Sequence, residues 1–152
     1  MGLESRHMSR FYDIDAANAA IPELDGIVGV LRDQRAELVR LRDDVLASDA
    51  GGEGAPAAVT RPTGTGEAPI SNDLRLIRLR MQGLIDQMAA GVARIDALGL
   101  TLRDIERGLV DFPALVSGRQ VWLCWKPGEA SIGWWHDLDT GFDGRQPLTE
   151  LA

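Results

Sequence analysis

The stretch LDGIVGVLRDQRAELVRLRDDV, residues 24–45, decides the fold. Leu24, Leu31, Leu38 and Val45 recur every seven residues, and Ile27, Gln34 and Leu41 fall three places after the first three of them. That spacing puts an apolar seam along one side of an α-helix. Arg32, Asp33, Arg35, Glu37, Arg40, Arg42, Asp43 and Asp44 fill the remaining positions as a mixed-charge, solvated face. Asp13 or Asp15 is placed to cap the first free backbone N–H groups, and Pro22 fits the first turn of the main segment. The reading is a first long helix within 10–49, ending near Ser48.

A second stretch, LRLIRLRMQGLIDQMAAGVARI at 74–95, repeats the pattern with Leu74, Met81, Met88 and Ile95 at sevens and Ile77, Leu84, Gly91 and Leu98 three places on. Ser71, Asn72 or Asp73 caps it, and Gly99 suits a left-handed C-terminal cap, so the second helix occupies 72–99. Seams of equal length argue that the two helices lie together as an antiparallel, coiled-coil-like hairpin. Gly91 sits on the seam, where the expected reason for a glycine is close approach of a neighbouring backbone. Between the helices, residues 50–71 are rich in Gly, Pro, Ala and Thr without an apolar period, which reads as a flexible linker. Residues 1–9 read as a leader or disordered start, because patterned sequence begins only after Met8.

Beyond Gly99 the period changes to two. Strands are expected over about 100–105, 108–112 (stopped by Pro113), 120–126 and 132–136, with Pro127-Gly128 as a turn and 137–152 as an irregular tail. The fold class is therefore α+β: a two-helix hairpin packed with a small C-terminal antiparallel sheet of about four strands over 100–152. All four Trp residues lie between Trp122 and Trp135, so one hairpin carries most of the aromatic surface and must dock on something.

Composition narrows the function classes. A net charge of −7 disfavours a polyanion, so nucleic acid is not an expected partner. No apolar run reaches the roughly 20 residues a spanning helix requires, so no membrane partner is expected. Cys124 is the one cysteine, which excludes an internal disulfide and points to a cytoplasmic location. A two-helix layer leaves apolar surface uncovered, and a homodimer would cover it.

The order Phe11-Tyr12, Ala17-Asn18, Ile21-Pro22, then Gly108-Leu109-Val110-Asp111-Phe112-Pro113, then Leu123-Cys124-Trp125-Lys126, Gly128-Glu129, Trp135-His136, Gly141-Phe142 and Arg145-Gln146-Pro147-Leu148 resembles the bacterial domain of unknown function 2203 family. The likeness spans about Arg10 to Leu148 apart from the linker. It implies fold and localisation and brings no activity with it.

Cys124, Glu129 and His136, with Asp111 upstream, form the one constellation that resembles a metal site. Thiolate, imidazole and carboxylate together suit zinc or another divalent ion. Strand parity stands against it. If Lys126 pairs with Ser131, Cys124 lies opposite Gly133 and His136 points to the other face, whereas a bulged or shorter turn brings them together. The bland reading is a buried core cysteine and a hydrogen-bonded histidine. Cys124 as a nucleophile with His136 as base is a second chemical reading, and it requires an exposed thiol of lowered pKa. A ligand or partner surface is expected from Trp122, Trp125, Lys126, Trp134, Trp135, Arg119 and Arg145, with the alternative that the charged members fasten the tail. No phosphate-cradling loop, dinucleotide fingerprint, His-Glu-x-x-His or Gly-x-Ser-x-Gly occurs, and no catalytic residue is assigned. The chain thus reads first as a non-enzymatic interaction module or homodimeric scaffold with a protein partner. The alternative is a zinc-like metal-binding protein, hydrolytic in style.

Overall fold

The computed structural model describes the backbone of residues 10–53 and 69–150 and the side chains of 10–48 and 72–149. The leader expected at 1–9 and most of the linker expected at 50–71 lie outside the described residues.

Helix α1 spans Ile14–Glu53 and helix α2 spans Pro69–Ala97, so each reaches a few residues into the stretch expected to be linker. Asp13 is the cap of α1, its Oδ1 accepting the Ala16 N–H at 2.7 Å. Because α1 starts at Ile14, Pro22 lies inside the helix instead of in its first turn. A proline there removes the N–H that would bond to the Asn18 carbonyl. The Asn18 side chain is used elsewhere: its Oδ1 accepts the Ile132 N–H at 2.7 Å. At the end of α2, Gly99 takes φ +78°, and the Leu100 N–H reaches back to the Ile95 carbonyl at 3.3 Å, a left-handed cap of the kind the sequence predicts.

The chain forms two compact units, Gln34–Met88 and the remainder, Met1–Asp33 with Ala89–Ala152. In the first, Leu84 is buried and Leu38, Leu41, Val45, Leu74, Ile77, Met81 and Met88 are half-buried, as the paired seams require. Gln34 donates to Gln87 at 3.2 Å, and Arg80 grips both oxygens of Glu37 at 2.9 and 3.0 Å. These pairings run antiparallel. In the second unit Leu24, Ile27, Val28, Leu31 and Ile95 are buried. A Cβ on Gly91 would stand 2.9 Å from Leu31 Cδ2, so a leucine side chain, not the expected backbone, makes the close approach.

The sheet has five antiparallel strands in sequential order: β1 Thr101–Asp104, β2 Leu109–Val116, β3 Arg119–Trp125, β4 Trp134–His136 and β5 Gln146–Pro147. The fifth comes from the tail that the sequence reads as irregular. Strand β2 also runs through Pro113, where a stop is expected. The reason is the direction of the missing donor. The Pro113 carbonyl accepts the Tyr12 N–H at 2.7 Å, and a residue's carbonyl and nitrogen point to the same side of a strand. The proline nitrogen therefore faces away from β3, beyond the end of β1, where no ladder bond is lost.

Val110, Phe112, Ala114, Val121, Leu123, Trp125 and Trp135 are all buried and share one face by their pairing. Tyr12 stands edge-on to Phe112 at 5.2 Å, and its hydroxyl donates to the Leu98 carbonyl. One aromatic side chain thereby ties the entry of α1 to the exit of α2 and to the sheet.

Candidate metal centre

Three central strands bring the reactive side chains together. Asp111 on β2 pairs directly with Cys124 on β3, Cys124 pairs with Trp134 on β4, and Trp122 pairs with His136. Directly paired residues share a sheet face, as do residues two apart. Asp111, Trp122, Cys124, Trp134 and His136 therefore all stand on the face opposite the aromatic core. The connection through 126–133 does not pair Lys126 with Ser131, the register considered from the sequence. Gly128 at φ +95° and the Glu129 N–H to Lys126 carbonyl bond shape its turn, and the register moves by one residue. Cys124 then lies opposite Trp134 and not Gly133, and His136 comes to its side of the sheet.

One ligand atom each from Asp111, Cys124 and His136 lies within 4.8 Å of the others, and all three residues are buried. His136 Nδ1 is 2.8 Å from the Asp137 carbonyl, which can only accept, so Nδ1 carries a proton. Its Nε2 then faces Asp111 Oδ2 at 2.9 Å, a contact that needs a proton or a cation between two lone pairs. The same Oδ2 accepts Arg103 Nε at 2.8 Å. Burial first, and then the Asp111 carboxylate, push the Cys124 thiol up to about 12. Without a cation the sulfur is a neutral thiol.

A pocket of about 250 Å³ opens onto the cluster, walled by Arg103, Leu109, Leu138, Asp139 and Phe142. Asp111, Cys124 and His136 are themselves among the residues that line it.

Glu129, expected among the ligands, is held elsewhere. Both its oxygens receive Arg145 Nη2 at 2.8 Å, and one also accepts the Lys126 N–H at 2.9 Å. Arg145 in turn lies over the rings of Trp134 and Phe142. Two of the expected surface tryptophans, Trp125 and Trp135, are buried in the core face, with Trp125 Nε1 donating to the Glu129 carbonyl at 2.8 Å. Trp122 and Trp134 stand on the other face, each with a guanidinium over it, from Arg103 and Arg145. Arg119 pairs with Asp137 at 3.2 Å, and Lys126 is exposed beside Phe142.

Arg103 is the site residue that the sequence reading missed. Thr101 pairs with Asp111, and a bulge falls between Leu102 and Asp104, so Arg103 is delivered to the face of the carboxylate. The alternation of Thr101 and Arg103 carried that signal, but only once the partner strand was known.

These features define a class: a two-helix α+β protein whose small antiparallel sheet buries a thiol, an imidazole and a carboxylate beneath an open pocket. Residues 10–148 match the family model described as an uncharacterized conserved protein, DUF2203, and the chain belongs to that family. No curated protein and no solved structure matches the chain. Among the described residues no helix is long and apolar enough to cross a membrane.

Proposed function

We propose that the chain is a metal-binding protein that holds one divalent transition-metal ion, zinc by the chemistry of its donors, between Asp111, Cys124 and His136. The observation that carries this reading is the convergence of three buried ligand atoms of the right types within 4.8 Å. A tetrahedral ion with bonds of ~2.0–2.3 Å keeps its ligand atoms roughly 3.3–3.8 Å apart, which such a cluster accommodates. The proton on Nδ1, fixed by the Asp137 carbonyl, leaves Nε2 as the ligand atom, the usual arrangement of a metal-bound histidine. A bound cation would also turn the neutral Cys124 thiol into a thiolate.

Three protein ligands and a fourth position facing the pocket support a hydrolytic use, since an ion held in this way makes a bound water acidic. Direct attack by Cys124 is disfavoured, because its thiol is buried and held protonated.

Elemental analysis of the full chain purified without chelator is the test. About one zinc, iron or manganese per chain is expected, falling severalfold in Cys124→Ser and in His136→Ala. Content far below stoichiometry and indifferent to both substitutions would remove the proposal.

A second reading, a homodimeric interaction scaffold, is favoured by the exposure of Leu46, Leu76 and Leu79, at 57, 63 and 62%. Light scattering decides it: a dimer weakened by Leu76→Glu supports the scaffold, and a monomer at all concentrations excludes it.

A further inference from the structure

The pocket over the cluster has a chemistry of its own. Arg103 forms part of its wall with its Nε spent on Asp111, and its two terminal nitrogens have no hydrogen-bond partner among the described residues. The guanidinium lies over the Trp122 ring at 4.9 Å and is thereby held in place, with 45% of the side chain exposed. A planar cation so fixed, with donors left over, suits a carboxylate or phosphate oxygen pair. The same pocket is also lined by apolar side chains, Leu109, the half-exposed Leu138 and Phe142.

With a divalent ion bound, the lining of the pocket is close to neutral, and Arg103 is the cation with unused donors. One carboxylate and one thiolate neutralise a divalent ion, which leaves Arg103 against the exposed Asp139 within the pocket. Arg107 and Lys126 lie 4.6 and 5.7 Å from the Phe142 ring centroid and form no ion pair among the described residues. Arg145 stacks on the same ring but is neutralised by Glu129.

We propose that this pocket takes a small organic oxyanion, a carboxylate or phosphate ester, gripped by Arg103 beside the metal, with its apolar body against Leu138 and Phe142. The proposal rests on the metal-site reading. It makes Arg103 a binding residue in addition to a support for Asp111. The ligand's charged end then lies next to the open metal position, and its apolar end points to the pocket mouth.

The test is optical titration of the Co²⁺-loaded full chain with phenyl phosphate, benzoate and inorganic phosphate. Phenyl phosphate or benzoate is expected to shift the cobalt absorption saturably, and the tighter of the two identifies the oxyanion. Inorganic phosphate, lacking the apolar body, is expected to bind at least tenfold more weakly than phenyl phosphate. In the cobalt-loaded Arg103→Gln chain, oxyanion binding is expected to be at least tenfold weaker. Leu138→Glu places a negative charge in the pocket and, in the cobalt-loaded chain, is expected to abolish oxyanion binding. It serves as the readout if Arg103→Gln disturbs Asp111. Cobalt uptake with no response to any of the three anions, or a response unaltered in Leu138→Glu, overturns the pocket proposal alone. Failure of cobalt to bind at all overturns the metal reading and this proposal with it.

Discussion

Asp111 is the residue on which the site converges. It is 2% exposed, and its Oδ2 accepts from Arg103 Nε and lies 2.9 Å from His136 Nε2. Removing it strands a buried imidazole and half of an arginine's anchorage, so Asp111→Ala is expected to destabilise the chain by about 3 kcal/mol, measured by urea denaturation. Asp111→Asn, which keeps the shape but not the charge, should lose metal while recovering part of that stability. Cys124 gives a prediction with a sign that can be worked out. Its thiol pKa is raised from 9.0 to about 12 in the folded, metal-free chain. A raised thiol pKa means the folded state keeps a proton that the unfolded state releases. Its stability contribution is therefore intact below pH 9 and is lost between pH 9 and 12. In that window wild type should lose stability faster than Cys124→Ala. At pH 8 the native thiol should react with iodoacetamide about a thousandfold more slowly than in the unfolded chain. Native reactivity equal to that of the unfolded chain contradicts the burial. The types and positions of three of the four ligand candidates were legible in the sequence, but their convergence was not. It turned on one residue of register between β3 and β4, which the loop at 126–133 sets and residue spacing does not reveal.

At the scale of elements, sevenfold recurrence from Leu24 to Val45 and from Leu74 to Ile95 was enough to foresee two long helices, though α1, at 40 residues, outruns α2, at 29. Side-chain alternation was enough to foresee strands after Gly99. Legibility failed where tertiary context decides. Pro113 reads as a strand terminator, yet its nitrogen faces the unpaired side of β2. Gln146 and Pro147 are too few to carry a period, and they become a strand only because Trp134 and Trp135 offer an edge. Gly108 shows how tightly the turns meet. It takes φ +71°, and a Cβ there would stand 2.6 Å from Pro127 Cγ and 2.9 Å from Val28 Cγ1. The turn between β1 and β2, the loop after β3 and the flank of α1 therefore close on a position with no room for a side chain. Gly108→Ala is expected to cost roughly 2–4 kcal/mol, the sum of a left-handed backbone penalty and overpacking. Thermal denaturation measures it, and a change below about 0.5 kcal/mol contradicts the packing.

For the whole molecule, a ligand that binds the folded chain and not the unfolded one raises stability by mass action. Zinc in hundredfold excess over its dissociation constant should therefore add about 2.7 kcal/mol, seen as a raised Tm that chelator reverses and Cys124→Ser lacks. Affinity should weaken as the pH falls, because protons compete for the sulfur and the imidazole. The strands that carry the ligands all belong to the unit formed by Met1–Asp33 and Ala89–Ala152, whereas Leu46, Leu76 and Leu79 belong to Gln34–Met88. The proposed metal binding and the proposed self-association thus rest on different units, and Leu76→Glu should leave metal content unchanged. The most direct measurement on the central claim is X-ray absorption at the zinc edge of the zinc-loaded chain. One sulfur at about 2.3 Å with nitrogen and oxygen neighbours at about 2.0 Å is expected, the sulfur vanishing in Cys124→Ser. A shell of nitrogen and oxygen alone, or a sulfur that survives the substitution, contradicts a metal held by Asp111, Cys124 and His136.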